Sequence, residues 1–331
     1  MKTRRSLAIL LTLILLSTPC LSETEQTTKI GVILPLSGSF KRYGERIQAA
    51  LTEGIDCNAK LIFEDESCDP NKAMTAYKKL SSVDGINLFI GPYCGSPQLV
   101  IAQQIKTREQ LAMLASSAPT EVYTASAQKM FSTQHSIESE ASYMAQYLNK
   151  LGVKSVASIY LDNYFSRTHE NAFKKAFKGT ILKTFAYTGE DLSQIKSLVL
   201  SIKGLKPEAL YVPDAFPLMN GLTRELEAAG LNQIKIYSPY SVEMSDVLNA
   251  VGKAGERIFY TYPQINEEAL HYYSKIAASQ VCNGIKNCPA GDISCIKAKW
   301  LSDALFDKTG SIPAEFIIKT MTATGFVEVK S

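Results

Sequence analysis

Residues 61–97 read LIFEDESCDPNKAMTAYKKLSSVDGINLFIGPYCGSP. An apolar strand over 61–64 is followed by a helix over 71–80 and a second apolar strand over 88–90. The turn Gly91-Pro92-Tyr93-Cys94-Gly95-Ser96-Pro97 then opens a helix over 96–107. Continuous apolar strands separated by helices indicate a buried parallel sheet. In the turn, Ser96 has the chemistry of an N-cap and Pro97 that of a first helical residue. Backbone N–H groups at such a helix start bind anions without any catalytic residue. The local pattern leaves two roles open for Ser96, helix cap or anion contact.

The same rhythm extends on both sides. A strand over 29–34 ends in Pro35-Leu36-Ser37-Gly38-Ser39 and is followed by a helix over 44–52. A strand over 112–115 runs into Ser116-Ser117-Ala118-Pro119-Thr120. The pattern then restarts, with helices over 139–151, 171–177, 192–202 and 222–229, the last closed by Gly230. Strands alternate with them over 155–160, 182–186, 209–212, 234–237 and 257–262. The expected fold class is therefore α/β, with the doubly wound pattern written twice and no long linker between copies. Two packed lobes make a cleft beyond the carboxyl ends of their strands, where ligands of open α/β sheets sit. Beyond residue 266 the pattern is less regular. Helices are expected over 267–278 and 296–305, a stapled loop around the three late cysteines, and a hairpin from 315–319 and 326–329.

At the start of the chain, Lys2, Arg4 and Arg5 precede an apolar run over 7–16 that is too short to span a bilayer. Cys20 and Ser22 supply small residues for cleavage before Glu23. Residues 1–22 are expected to be a signal peptide, leaving an exported, soluble chain of roughly 309 residues. That segment carries three of the 35 basic residues and none of the 32 acidic ones, so the formal charge of +3 falls to zero without it. Nothing then supports nucleic-acid binding. Six cysteines remain, Cys57, Cys68, Cys94, Cys282, Cys288 and Cys295, and an even count in an exported chain favours disulfides over metal ligands.

Signatures of catalysis are missing: there is no GxSxG, P-loop, HExxH or GxGxxG. No enzyme activity, cofactor or metal is expected. His135 and His169 are expected to be surface or structural residues. The run Glu64-Asp65-Glu66 is expected to be a solvated turn. Cys94 beside a helix start could be a low-pKa thiol, but Cys68 offers it a partner.

These residues resemble the type I periplasmic solute-binding proteins of the leucine/isoleucine/valine-binding family. The motifs that carry the resemblance are Ile30-Gly-Val-Ile-Leu-Pro-Leu-Ser-Gly38, Cys68-Asp-Pro70, residues 85–96 and the helix 222–230. The resemblance implies two lobes joined by three hinge crossovers that close over one small ligand. Its boundaries would be a first lobe over 23–133 and 262–310, and a second over 134–261 with a C-terminal hairpin over 311–331. It implies a Cys68–Cys94 bridge; the other four cysteines are extra to the family pattern, and three pairings are open to them.

Carried over by position, Ser96 is the expected carboxylate anchor, assisted by Ser116, Ser117 and Pro119. Pro119 stands where the family has a threonine, so a hydroxyl and an N–H are lost. Tyr43 matches the aromatic of the first loop, and Tyr93 adds a second ring. From the second lobe, Tyr164 and Phe216 match rings lining the cleft. Tyr240 follows Pro239 where the family places a glutamate that pairs with the ligand's ammonium, and a phenol carries no such charge. Either Asp214 or Glu243 replaces that glutamate, or the ligand has no ammonium. The resemblance thus implies a periplasmic monomer that passes a small carboxylate-bearing solute, an amino acid or an aromatic or other organic acid, to an ABC permease in the membrane. A ligand sensor that signals to a receptor or regulator is the alternative on the same fold.

Overall fold

Alternate residues of the first strands face opposite layers, and this builds the first sheet. The computed structural model describes residues 27–188, 192–213 and 218–330. Strands β1 (Thr28–Leu34), β2 (Ala59–Asp65), β3 (Leu88–Ile90), β4 (Leu111–Leu114) and β5 (Met130–Ser132) form a parallel sheet of order β2-β1-β3-β4-β5. Ile30, Val32, Leu88, Ile90, Leu111 and Met113 enter one core layer; Ile33, Phe89, Ala112 and Leu114 enter the other. With both faces covered, a strand has no polar side, which is why these segments read as unbroken apolar runs. Helices α1 (Lys41–Gly54), α2 (Pro70–Lys78), α3 (Gly95–Ile105) and α4 (Thr120–Ala125) connect these strands.

The second sheet contains β6 (Ser155–Leu161), β7 (Thr180–Tyr187), β8 (Ala209–Tyr211), β9 (Lys235–Ser238), β10 (Ile258–Pro263), β11 (Phe316–Thr322) and β12 (Gly325–Glu328), in the order β12-β11-β10-β9-β8-β6-β7. It is parallel except for the terminal hairpin, where β11 pairs antiparallel with both β10 and β12. Its helices are α5 (Ile137–Lys150), α6 (Tyr164–Ala176), α7 (Ile195–Leu205), α8 (Leu218–Ala228) and α9 (Ser245–Val251). The chain then returns to the first lobe through α10 (Ala269–Asn287) and α11 (Ile293–Ser302). Helix α10 packs on α1 so tightly that a Cβ on Gly54 would stand 3.1 Å from Cβ of Ala278. Trp300 of α11 is fully buried against Phe131. Three segments, 133–136, 264–268 and 303–315, therefore join the lobes, and the α/β class with two doubly wound lobes is observed.

The structure differs from the sequence expectations in several places. The late three-cysteine segment is largely helical, with Cys282 inside α10 and Cys295 inside α11. Cys57 pairs with Cys282, Cys68 with Cys94 and Cys288 with Cys295. The Cys57–Cys282 bridge fastens the end of α1 to α10 across 225 positions of sequence. His135 and His169, expected to be surface or structural residues, are both fully buried, which removes the first alternative. The run Glu64-Asp65-Glu66 is not a solvated turn either. Asp65 accepts the backbone N–H groups of Leu36, Ser37 and Ser67, and Glu66 is fully buried. No helix among the described residues is long and apolar enough to cross a membrane.

Candidate functional site

Helix α3 begins earlier than its serine suggests. Cys94 is the N-cap, with Gly95, Ser96 and Pro97 as the first turn. Proline is tolerated throughout that turn because its missing N–H has no intrahelical acceptor there. Glu66 accepts the backbone N–H groups of Tyr93 at 3.1 Å and Cys94 at 3.0 Å, and the first N–H to join the helix ladder is that of Gln98, donating to the Cys94 carbonyl at 2.9 Å. The N–H groups of Gly95 and Ser96 lie between these two sets, at the positive end of the helix. Ser96 is therefore not the cap, and its side chain lines a cavity.

That cavity, of about 180 Å³, lies between the lobes. The first lobe contributes Phe40 and Tyr43, the Cys68–Cys94 bridge, Tyr93, Ser96, Ser116 and Ser117. The second contributes Leu161, Asn163, Tyr164, Phe165, Tyr240 and Ser241. These residues come from the ends of β1, β2, β3, β4, β6 and β9 or the turns that follow, the carboxyl edges of both sheets. Tyr43 lies in the first turn of α1, not in the loop before it, and its ring stacks on Tyr93 with centroids 5.8 Å apart. No described residue of this lining is an acid or a base. Burial is the main cause that pushes the Tyr93 and Tyr240 phenols well above their usual pKa, so both remain neutral.

The wall is held from behind. Gln98, fully buried, donates to Ser116 Oγ at 2.9 Å and to the Tyr93 carbonyl at 3.0 Å, while Ser116 donates to that carbonyl at 3.1 Å. Tyr240 donates its hydroxyl to Gln134 at 2.6 Å and its N–H to Glu140 at 2.9 Å. Glu243 does not line the main cavity. It is bound by Lys319 at 2.6 Å and by the Tyr260 hydroxyl at 2.6 Å, and it faces a smaller hollow behind Tyr43, Tyr93 and Tyr240. Burial raises the Glu66 carboxyl to about 8, against the two N–H groups that favour its charged form.

The lobes also touch around the cavity. Tyr164 donates its hydroxyl to Glu121 of α4, Thr120 donates its N–H to Glu138 of α5 at 3.1 Å, and Arg42 of α1 pairs with Asp246 of α9 at 2.6 Å. Of the residues singled out in the sequence, Tyr43, Tyr93, Ser96, Ser116, Ser117, Tyr164 and Tyr240 share the one cavity. Pro119 does not; it lines an outer groove with Glu121, Glu138 and Arg167, to which Tyr164 also belongs. Asp214 and Phe216 lie outside the described residues. Sequence reasoning missed Phe40, Asn163 and Phe165. Asn163 was accessible to it as the N-cap of α6, where its side chain accepts the Ser166 N–H at 2.8 Å.

A family profile described as periplasmic binding protein matches residues 27–279. An amino acid binding protein of Pseudomonas aeruginosa is 22% identical over 215 residues; the match takes in 61% of this chain and 58% of that protein's length. Among solved structures, the solute-binding protein of an ABC transporter from R. palustris in complex with benzoate superposes with a TM-score of 0.80 at 18% identity, over 92% of this chain and 95% of that one. A leucine-binding protein from Thermotoga maritima superposes with a TM-score of 0.80 at 16% identity, over 92% and 98% of the two chains. At such identities these likenesses establish the fold.

Proposed function

The chain belongs to the periplasmic binding protein family, and from that premise we propose that it captures a small carboxylate-bearing solute between its lobes for an ABC importer. The observation that carries this reading is the start of α3, where Ser96 and the helix N-terminus open into a small cavity ringed by Phe40, Tyr43, Tyr93, Tyr164, Phe165 and Tyr240. A carboxylate is matched by the helix dipole and serine hydroxyls, and a flat apolar body by the rings. The volume suits a single ring: cavities of roughly 150 Å³ lined by apolar groups bind benzene. Tyr240 stands where the resemblance implies an acidic residue, and Glu243 is already paired with Lys319, which supports an aromatic acid over an amino acid. The R. palustris relative, with its benzoate, accords with that choice.

In this reading the solute meets the first lobe at Ser96, Ser116 and Ser117. Tyr164 and Tyr240 then close from the second lobe, and the closed monomer docks on a membrane permease from the periplasmic side. Residues 1–22 serve as the export signal, and the role is binding, not catalysis. A thermal-shift screen of benzoate, hydroxybenzoates and the common amino acids tests this, because a ligand that binds only the folded form must raise Tm. The expected result is a shift with benzoates and none with leucine. A protein that responds to no carboxylate at millimolar concentration is not a receptor of this class.

A further inference from the structure

Behind the Tyr240 wall lies a buried cluster of ionisable side chains, outside the lining of the cavity between the lobes. Glu140, in the first turn of α5, is 1% exposed, and His135 and His169 are fully buried. Glu140 Oε1 accepts the Tyr240 N–H at 2.9 Å and the Thr261 hydroxyl. Its Oε2 stands 3.2 Å from His135 Nε2 and 3.6 Å from His169 Nε2. The partners converge on the hinge. His135 belongs to the first crossing, Thr261 to the strand that enters the second, and Phe316, the first residue after the third, sets its ring edge-on to His135 with centroids 4.7 Å apart. His135 Nδ1 and both ring nitrogens of His169 have no hydrogen-bond partner. A buried carboxylate between two imidazoles is costly, and apolar packing would stabilise a hinge at least as well.

We infer that Glu140 is a positioning residue of the ligand cleft: its carboxylate ties the Tyr240 wall to the hinge, which keeps that wall where it meets a solute. Other titratable groups near the carboxylate are the phenols of Tyr240, Tyr211 of β8 and Tyr273 of α10. Glu170 of α6 is bound by Ser158 and Thr184. Burial is the chief cause that lowers His169 to about 4, against the attraction of Glu140 and with the repulsion of His135. Burial opposes the charge on Glu140, but His135 first, then His169 and Thr261, hold its pKa below the usual value. His169 is therefore uncharged at neutral pH, and the firm holds on the carboxylate are the Tyr240 N–H, the Thr261 hydroxyl and His135.

The inference rests on the carboxylate-receptor reading, and calorimetric titration with benzoate and 4-hydroxybenzoate separates the two. Glu140→Gln keeps an acceptor for the Tyr240 N–H, so at about pH 7.5 it should bind within about threefold of wild type. Glu140→Ala should lose about tenfold or more at that pH. A folded Glu140→Gln protein that loses about tenfold or more overturns this inference alone, since the acceptor for the Tyr240 N–H is kept. So does a folded Glu140→Ala protein with wild-type affinity. A folded wild type that binds neither acid at any pH overturns the carboxylate reading, and this inference falls with it.

Discussion

Gly95 and Tyr164 face each other across the cleft so closely that a Cβ on Gly95 would stand 3.2 Å from Tyr164 Cδ1. One opens helix α3 of the first lobe and the other opens helix α6 of the second. The small residue lets two helix starts meet over the cavity. Gly95→Ala should therefore hold the lobes slightly apart and weaken binding by roughly three- to tenfold, with Tm little changed, since small overpacking at a movable interface is relieved by opening it. Titration calorimetry and a thermal melt on the same variant check both halves.

Ser96→Ala separates an anchor from a cap. Because Cys94 holds the N-cap position, loss of the Ser96 hydroxyl should leave stability within about 0.5 kcal/mol of wild type. It should cost about 1–2 kcal/mol of affinity for a carboxylate. A variant that melts early and binds normally would return Ser96 to a structural role.

Glu66 bears on stability through its raised pKa of about 8. A carboxyl that is easier to protonate when folded contributes stability at low pH, and that stability is lost as pH rises from the unfolded value through the folded one. Wild-type Tm should accordingly decline between about pH 4.5 and about pH 8 on this account. Glu66→Gln retains an acceptor for the Tyr93 and Cys94 N–H groups, so it should melt above wild type at the upper end of that range, with the gap closing in acid. Melting curves across pH for the two proteins test the sign directly.

The two bridges outside the family pattern differ in loop size. Cys57–Cys282 closes 225 positions and Cys288–Cys295 only 7. In the chain-entropy model the first contributes about 5 kcal/mol and the second about 2 kcal/mol. Replacing each pair by alanine and measuring denaturant unfolding should give that order, with benzoate affinity unchanged in both.

Much of the fold was legible because buried parallel strands must be apolar on both faces; residues 88–90 were read to the residue for that reason. Helix α4 escaped because six residues are too few for its periodicity to register, and β5 because Met130-Phe131 is an apolar run of only two before Ser132, where Leu88–Ile90 has three. The cleft was legible where strand ends carry turn residues, as at Tyr93, Ser96, Ser116 and Ser117. It was illegible where a residue's role depends on the opposite lobe. Phe165 joins the lining only because α6 meets α3, and Pro119 leaves it because the loop before α4 turns outward beside Glu138. Glu66 was misread, and Glu140 and the burial of the two histidines were passed over, because burial of a charged or polar residue is decided by packing far along the chain, not by its neighbours in sequence.

The absence of acids and bases from the described lining has a consequence for the medium in which such a receptor works. Salt screens separated charges, and at about 0.15 M it does so beyond about 8 Å. A solute gripped by a helix end, hydroxyls and ring faces offers little for mobile ions to screen. Occupancy of the cleft should then follow the concentration of the solute and stay nearly constant as salinity changes.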